Sequence, residues 1–198
     1  MLEPHLQMWL GLLASVLALV CYVPYYIGIF AGRVKPHLYT YVVWTLVSTI
    51  AVAGGVASGG GPGMWSLILS TLLCAGVIVL CPRYGTKDIT ATDKAFGGLA
   101  IVSVIPWLLT KDPTFSVVLA TLIEILGAIP TYRKTWHAPD TESLSSWSIN
   151  VVKHVLTIPA MATLSVATIF YPIAMVAMNL TLVLIILYRR TRIPRRAE

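Results

Sequence analysis

Three ionisable residues stand within stretches that otherwise hold little but apolar side chains: Glu124, Lys153 and His154. A charge at the centre of a bilayer costs roughly 2.5–3.5 kcal/mol even on lenient insertion scales, so such residues face a partner or a cavity. An acid that binds and releases a proton, near a base that alters its affinity, is the minimum equipment for coupling a proton to another event. Glu124 falls near the middle of an apolar run and is too short to reach its edge. Lys153 has a stem long enough to extend to the membrane interface, so an anchoring role is open to it as well. Asn150 lies one turn before His154 and shares its face, where the pair could bind a solute or bridge helices.

The elements that hold these residues follow from composition. The chain has 198 residues, 57% hydrophobic and 11% charged, against about a quarter charged in a soluble domain. Apolar runs near 20 residues imply bilayer-spanning helices, because each must satisfy its own backbone polar groups. Seven are expected, at about 8–30, 38–57, 64–81, 95–110, 114–132, 147–167 and 171–188, the fourth being the shortest. The chain reads as one polytopic all-α membrane domain over 1–198 with a basic tail at 189–198.

The net charge of +6 is spread over loops, which excludes a nucleic-acid partner as its explanation. Twelve of the 14 Lys and Arg fall in the first, third and fifth connections and the tail. Positive charge collects on the cytoplasmic side, so the amino terminus is expected outside and the carboxyl terminus inside. Anionic membrane lipid is a further expected partner of the basic tail. The first run has Glu3 and no basic residue before it, and is too long for a cleaved secretory signal. Cys21, Cys74 and Cys81 all fall in expected helices and read as packing residues. Gly28 with Gly32, and Gly54, Gly55 and Gly59, read as close helix packing.

The chain also repeats itself. With a shift of 106 and no gaps, Pro24 falls on Pro130, Tyr26 on Tyr132, Leu38 on Leu144 and Tyr41 on Trp147. Trp44 and Ser48, one turn apart, fall on Asn150 and His154. Pro62, opening the third helix, matches Pro172, read as opening the seventh, once a few residues are inserted. Each half is then three helices, about 8–81 and 114–188. A linker helix at about 95–110 brings the second half back in the same orientation. This is a 3+1+3 arrangement of parallel repeats.

A proline ending one helix, a short basic loop and Leu-Ser before the next resembles the PQ-loop motif. Three-helix repeats joined by a linker helix are similar to the SWEET-like transporter superfamily. The resemblance is best at Pro130, Lys134, Leu144, Ser145 and Trp147. The glutamine that names the motif is Thr131 here and Tyr25 in the first copy. The resemblance implies transport of a small polar solute, such as a sugar, an amino acid or a vitamin-like molecule, by alternating access. It implies a substrate-binding asparagine at Asn179, with a counterpart among residues 69–72, where Ser70 and Thr71 are polar. Trp44, Ser48, Asn150, Lys153 and His154 complete the expected substrate site. Glu124 leans the mechanism towards proton symport. Pro24, Pro130 and Pro159 are expected hinges, with helix termination as the plainer alternative for each.

No paired carboxylates, nucleophile triad, Cys/His metal spacing or phosphate-cradling glycine loop is present, so neither an enzyme nor a cofactor site is expected. The rival reading is a seven-helix receptor or regulatory protein on the same fold, since fold does not fix function. The oligomeric state is open, a homo-oligomer included. The charge pattern makes a testable statement of topology. A reporter at the carboxyl terminus should be cytoplasmic and one within 59–63 external; both on one side would break the seven-helix count.

Overall fold

The computed structural model describes residues 2–32, 34, 36, 38–85, 98, 102, 105, 109, 112–137, 139 and 142–192. Among these residues every regular element is a helix: α1 (Pro4–Phe30), α2 (Leu38–Ala57), α3 (Trp65–Tyr84), α4 (Pro113–Gly127), α5 (Ile129–His137), α6 (Leu144–Thr157) and α7 (Val166–Arg192). A 3-10 turn at Gly61–Met64 leads into α3. Five stretches are long and apolar enough to cross a membrane: Pro4–Phe30, Leu38–Ala57, Gly61–Tyr84, Pro113–His137 and Val166–Arg192. By length and composition the chain is a multi-pass membrane protein. The helix expected at 95–110 lies outside the described residues except for Gly98, Val102, Ile105 and Leu109, which are helical and exposed.

Local chemistry sets the helix ends. Pro4 starts α1, where its missing N–H is one of those left unbonded in any helix. Asp112 caps α4 by accepting from the Thr114 N–H at 2.8 Å and the Phe115 N–H at 3.3 Å. Ser143 does the same for α6, accepting from the Ser146 N–H at 3.3 Å. Gly32 follows α1 with φ 69°, the left-handed conformation that glycine adopts without a Cβ penalty. A Cβ on Gly32 would meet nothing within 4 Å, so this glycine turns the chain and does not pack a helix pair. Gly54 does pack: a Cβ there would lie 2.5 Å from Cγ2 of Val117, so α2 and α4 approach closely only because it is absent.

Several expected boundaries are corrected. The sixth helix stops at Thr157 and does not run on to 167. Pro159 follows in an exposed turn, so it lies outside the helix and ends it, in keeping with its missing N–H. At 14 residues, α6 is about 21 Å long, short of the hydrocarbon thickness of about 30 Å. The fifth run is divided at Ala128 into α4 and α5, and Pro130 is the second residue of α5, where a proline is well tolerated. Pro24 sits within the unbroken α1. Pro172 is inside α7 and does not open it, unlike Pro62 in the 3-10 turn.

The helices pack in two groups with the same internal pattern. In the first, α3 contacts both α1 and α2; in the second, α7 contacts α4, α5 and α6. Across the groups α2 packs on α4 and α1 on α6. Exchanging α1, α2 and α3 with α4/α5, α6 and α7 reproduces these neighbours. Individual bonds repeat too. Tyr26 donates to the Leu73 carbonyl at 2.6 Å, and Tyr132, its partner under the shift of 106, donates to the Met178 carbonyl at 3.2 Å. The Phe30 and Tyr84 rings meet at 5.8 Å, as the Trp136 and Tyr188 rings do at 6.1 Å.

An interhelical hydrogen bond within a bilayer is worth about 0.6 kcal/mol. Tyr26→Phe and Tyr132→Phe should therefore each lower the unfolding midpoint slightly and to a similar extent. A loss confined to one of them would show that the two bonds are not equivalent.

Candidate functional site

Between the two groups lies a cavity of about 260 Å³. Its walls come from both groups at matching positions. Tyr22 with Ala128, Tyr25 with Thr131, Tyr41 with Trp147, Trp44 with Asn150 and Ser48 with His154 all line it, each pair separated by 106. From the third helix of each group come Ser70, Thr71 and Cys74 on α3, and Met175, Met178 and Asn179 on α7. The two tyrosine bonds to Leu73 and Met178 register α3 on α7 by 105, which sets Cys74 against Asn179, beside Ser70 and Thr71 in the same lining.

Asn179, Asn150, His154, Trp44, Ser48, Lys153 and Glu124 therefore share one cavity. Of the expected hinges, Pro24 and Pro159 do not line it. Cys21 and Cys74, expected to be packing residues, line it as well, and the lining residues that the sequence did not single out include the aromatic Tyr22, Tyr25, Tyr41 and Tyr171. Their signal was available in the repeat, since Tyr22 and Tyr25 share a helical face and fall opposite Ala128 and Thr131. Trp147, which could have been an interfacial anchor, faces the cavity while its Nε1 donates to Glu142 Oε2 at 3.1 Å.

Lys153 does not extend to an interface. It is 4% exposed, and its Nζ donates to Ser70 Oγ of α3 at 3.3 Å, bridging the two groups. That is one acceptor for a group with three N–H donors. Glu124 accepts at Oε1 from the Tyr171 hydroxyl at 3.4 Å, while its buried Oε2 has no partner among the described residues. A buried carboxylate oxygen without a hydrogen-bond donor is costly, and a proton there removes the cost. His154 is buried beside Lys153, with its ring edge-on to Tyr171 at 6.2 Å.

The neutral polar groups each make a bond of their own, which leaves every asparagine amide one further N–H. Asn179 Nδ2 donates to the Met175 carbonyl at 2.6 Å and Asn150 Nδ2 to the Ser146 carbonyl at 3.1 Å. Ser48 donates to the Trp44 carbonyl at 2.7 Å and Thr71 to the Leu67 carbonyl at 2.8 Å. These are bonds back to a helix's own preceding turn.

The cavity lies towards the basic loops, since its lining reaches Tyr25, Tyr41, Thr131 and Ser146. At the opposite end the two groups are tied together. The Ala162 N–H donates to the Gly60 carbonyl at 3.0 Å, and Gln7 Nε2 to the Met161 carbonyl at 2.9 Å. Ser66 and Thr157 hydroxyls meet at 3.0 Å. Beneath the cavity Val47, Ile50, Met64, Val117, Met161 and Met175 form a continuous apolar layer drawn from both groups. Among the described residues no cluster of His, Cys, Asp and Glu could hold a metal ion.

Compared with known protein families, with curated proteins and with solved structures, the chain matches none.

Cys74 lines the cavity, whereas Cys81 packs with Ile29 and Val77 away from it. Among otherwise cysteine-free proteins, one carrying Thr131→Cys, at a half-buried position of the cavity lining, should react with a small anionic thiosulfonate at least about tenfold faster than one retaining only the buried Cys81, because reactivity follows access. Equal rates would mean that the cavity does not admit solutes from water.

Proposed function

We propose that the chain is a membrane transporter that moves a small polar solute by alternating access through the cavity between two parallel three-helix halves. The halves are α1 to α3 and α4 to α7, joined by the helix expected at 95–110. The observation that carries the reading is the lining itself: five pairs of residues 106 apart face one cavity from opposite sides. A site shared by two equivalent halves lets a rocking motion expose it to either face. The ties at Gly60–Ala162 and Gln7–Met161, with the apolar layer beneath them, support a form closed at the end remote from the basic loops. With the basic side cytoplasmic, that form is open inward, and the carboxyl terminus is cytoplasmic.

Glu124 is the proton carrier in this reading. Among the described residues its buried Oε2 has no partner, and its Oε1 accepts from the Tyr171 hydroxyl. Lys153 and His154 line the same cavity and set how readily the acid gives up its proton. Asn150, Asn179, Trp44 and Ser48 contact the solute. Pro24, within α1, is the hinge of the first half, and the break at Ala128 followed by Pro130 is that of the second.

Purified protein in sealed vesicles should move its solute down a gradient at many molecules per protein. Saturable binding with no flux under any imposed gradient would favour the receptor reading. Glu124→Gln keeps the side chain's shape but removes its titration. It should abolish accumulation driven by a pH gradient, with an unfolding midpoint close to that of the unaltered protein. Accumulation at the unaltered level would make Glu124 a structural residue and leave uniport as the mechanism.

A further inference from the structure

The two walls of the cavity are equivalent in position but not in chemistry. The first half presents Tyr22, Tyr25, Tyr41 and Trp44, where the second has Ala128, Thr131, Trp147 and Asn150. Three of these rings form a continuous surface: Tyr25 meets Tyr41 at 5.7 Å, and Tyr41 meets Trp44 edge-on at 5.5 Å. The second half instead supplies the strong base Lys153 and the acid Glu124, at positions where the first has Val47 and Ala18. A symmetric, uncharged solute has no use for such a difference between the walls.

The hydrogen-bond donors narrow the choice further. The amides of Asn150 and Asn179 and the hydroxyls of Ser48 and Thr71 all donate to backbone carbonyls of their own helices. Lys153 bonds a single acceptor, Ser70 Oγ, and keeps donor capacity for another group. Each asparagine amide also keeps one further N–H, so Lys153 is set apart by its charge, and the natural partner of a cation is an anionic oxygen pair. The other ionisable side chains of the lining are Cys21, Cys74, His154 and the tyrosine phenols, none of which is an ordinary anion at neutral pH. Once a proton occupies Glu124, the charge of Lys153 is unbalanced within the cavity, and an entering anion balances it.

Resting on the transporter reading above, we infer that the solute is a small aromatic carboxylate. Its ring lies on the Tyr25, Tyr41 and Trp44 surface and its carboxylate on Lys153, and it travels with the proton of Glu124. The volume of about 260 Å³ is below the roughly 300–1,000 Å³ usual for drug-sized ligands, which limits the solute to a single ring system.

The test uses the full chain in detergent, with binding measured by calorimetry for four probes. Benzoate carries ring and charge, benzamide the ring alone, lactate the charge alone, and glucose neither. A charge-assisted bond and a stacked ring are each worth about tenfold or more in affinity, so benzoate should bind at least tenfold tighter than benzamide and lactate. Lys153→Met, which keeps the apolar stem, should erase the preference for benzoate over benzamide. Equal binding of benzoate and benzamide to the unaltered protein would overturn the inference, as would an undiminished preference in the variant. The same probes in vesicles separate the two levels of the argument. Flux of glucose or lactate without benzoate would overturn the solute class and leave transport standing. Benzoate binding without flux would support the class and remove transport.

Discussion

Hydrocarbon offers no hydrogen bonds, and this constraint orders the whole molecule. A polar side chain on a membrane helix must either bond its own backbone or turn towards other protein. The described residues follow that division. Many large apolar side chains are exposed, among them Leu12, Val16, Ile27, Leu72 and Leu184, while Gln7, Ser70, Thr121, Lys153, His154 and Asn179 are buried. The arrangement is inverted relative to a soluble domain. Polar residues from all seven helices, among them Ser48, Ser70, Glu124, Thr131, Lys153 and Asn179, are brought into one small cavity.

The same rule explains how much was legible beforehand. Glu124, Lys153, His154, Asn150 and Asn179 could be singled out because a polar residue in an apolar run has few acceptable places to go, and all five line the cavity. Tyr22, Tyr25 and Tyr41 could not be singled out that way, since an aromatic ring is equally acceptable against lipid, in a packed core or on a cavity wall. Helix ends were legible only to within a few residues, as at Ser143, whose cap starts the helix at Leu144 and not at the expected 147, and illegible where hydropathy continues past a break. The run from 158 to 167 remains apolar, yet the helix ends at Thr157 because the proline two residues on cannot donate. At Ala128 the chain turns between Gly127 and Pro130, where the apolar α4 gives way to the basic α5.

The cavity has two walls whose residues match in position, 106 apart, and differ in chemistry. The retained features are mechanical: the Tyr26 and Tyr132 bonds and the Phe30–Tyr84 and Trp136–Tyr188 ring pairs hold the first and third helices of each group together. The positions that differ face the cavity, where Ser48 opposes His154 and Trp44 opposes Asn150. Shared mechanics with divergent lining is what a moving pair of halves around a specific site requires. Lys153 joins the two aspects, since it lines the site and also bonds Ser70 of the other half.

Interspin distances at the two ends of the molecule test the central claim of alternating access most directly. Ala31 and His137 are exposed, 106 residues apart, and lie at the basic end; Ala57 and Leu164 are exposed at the other. Spin-label pairs at these positions, measured in lipid nanodiscs, should each show two populations. The longer distance at one end should accompany the shorter at the other, with a ratio that changes when transported solute is added. One unchanging distance at each end, with and without solute, would contradict it.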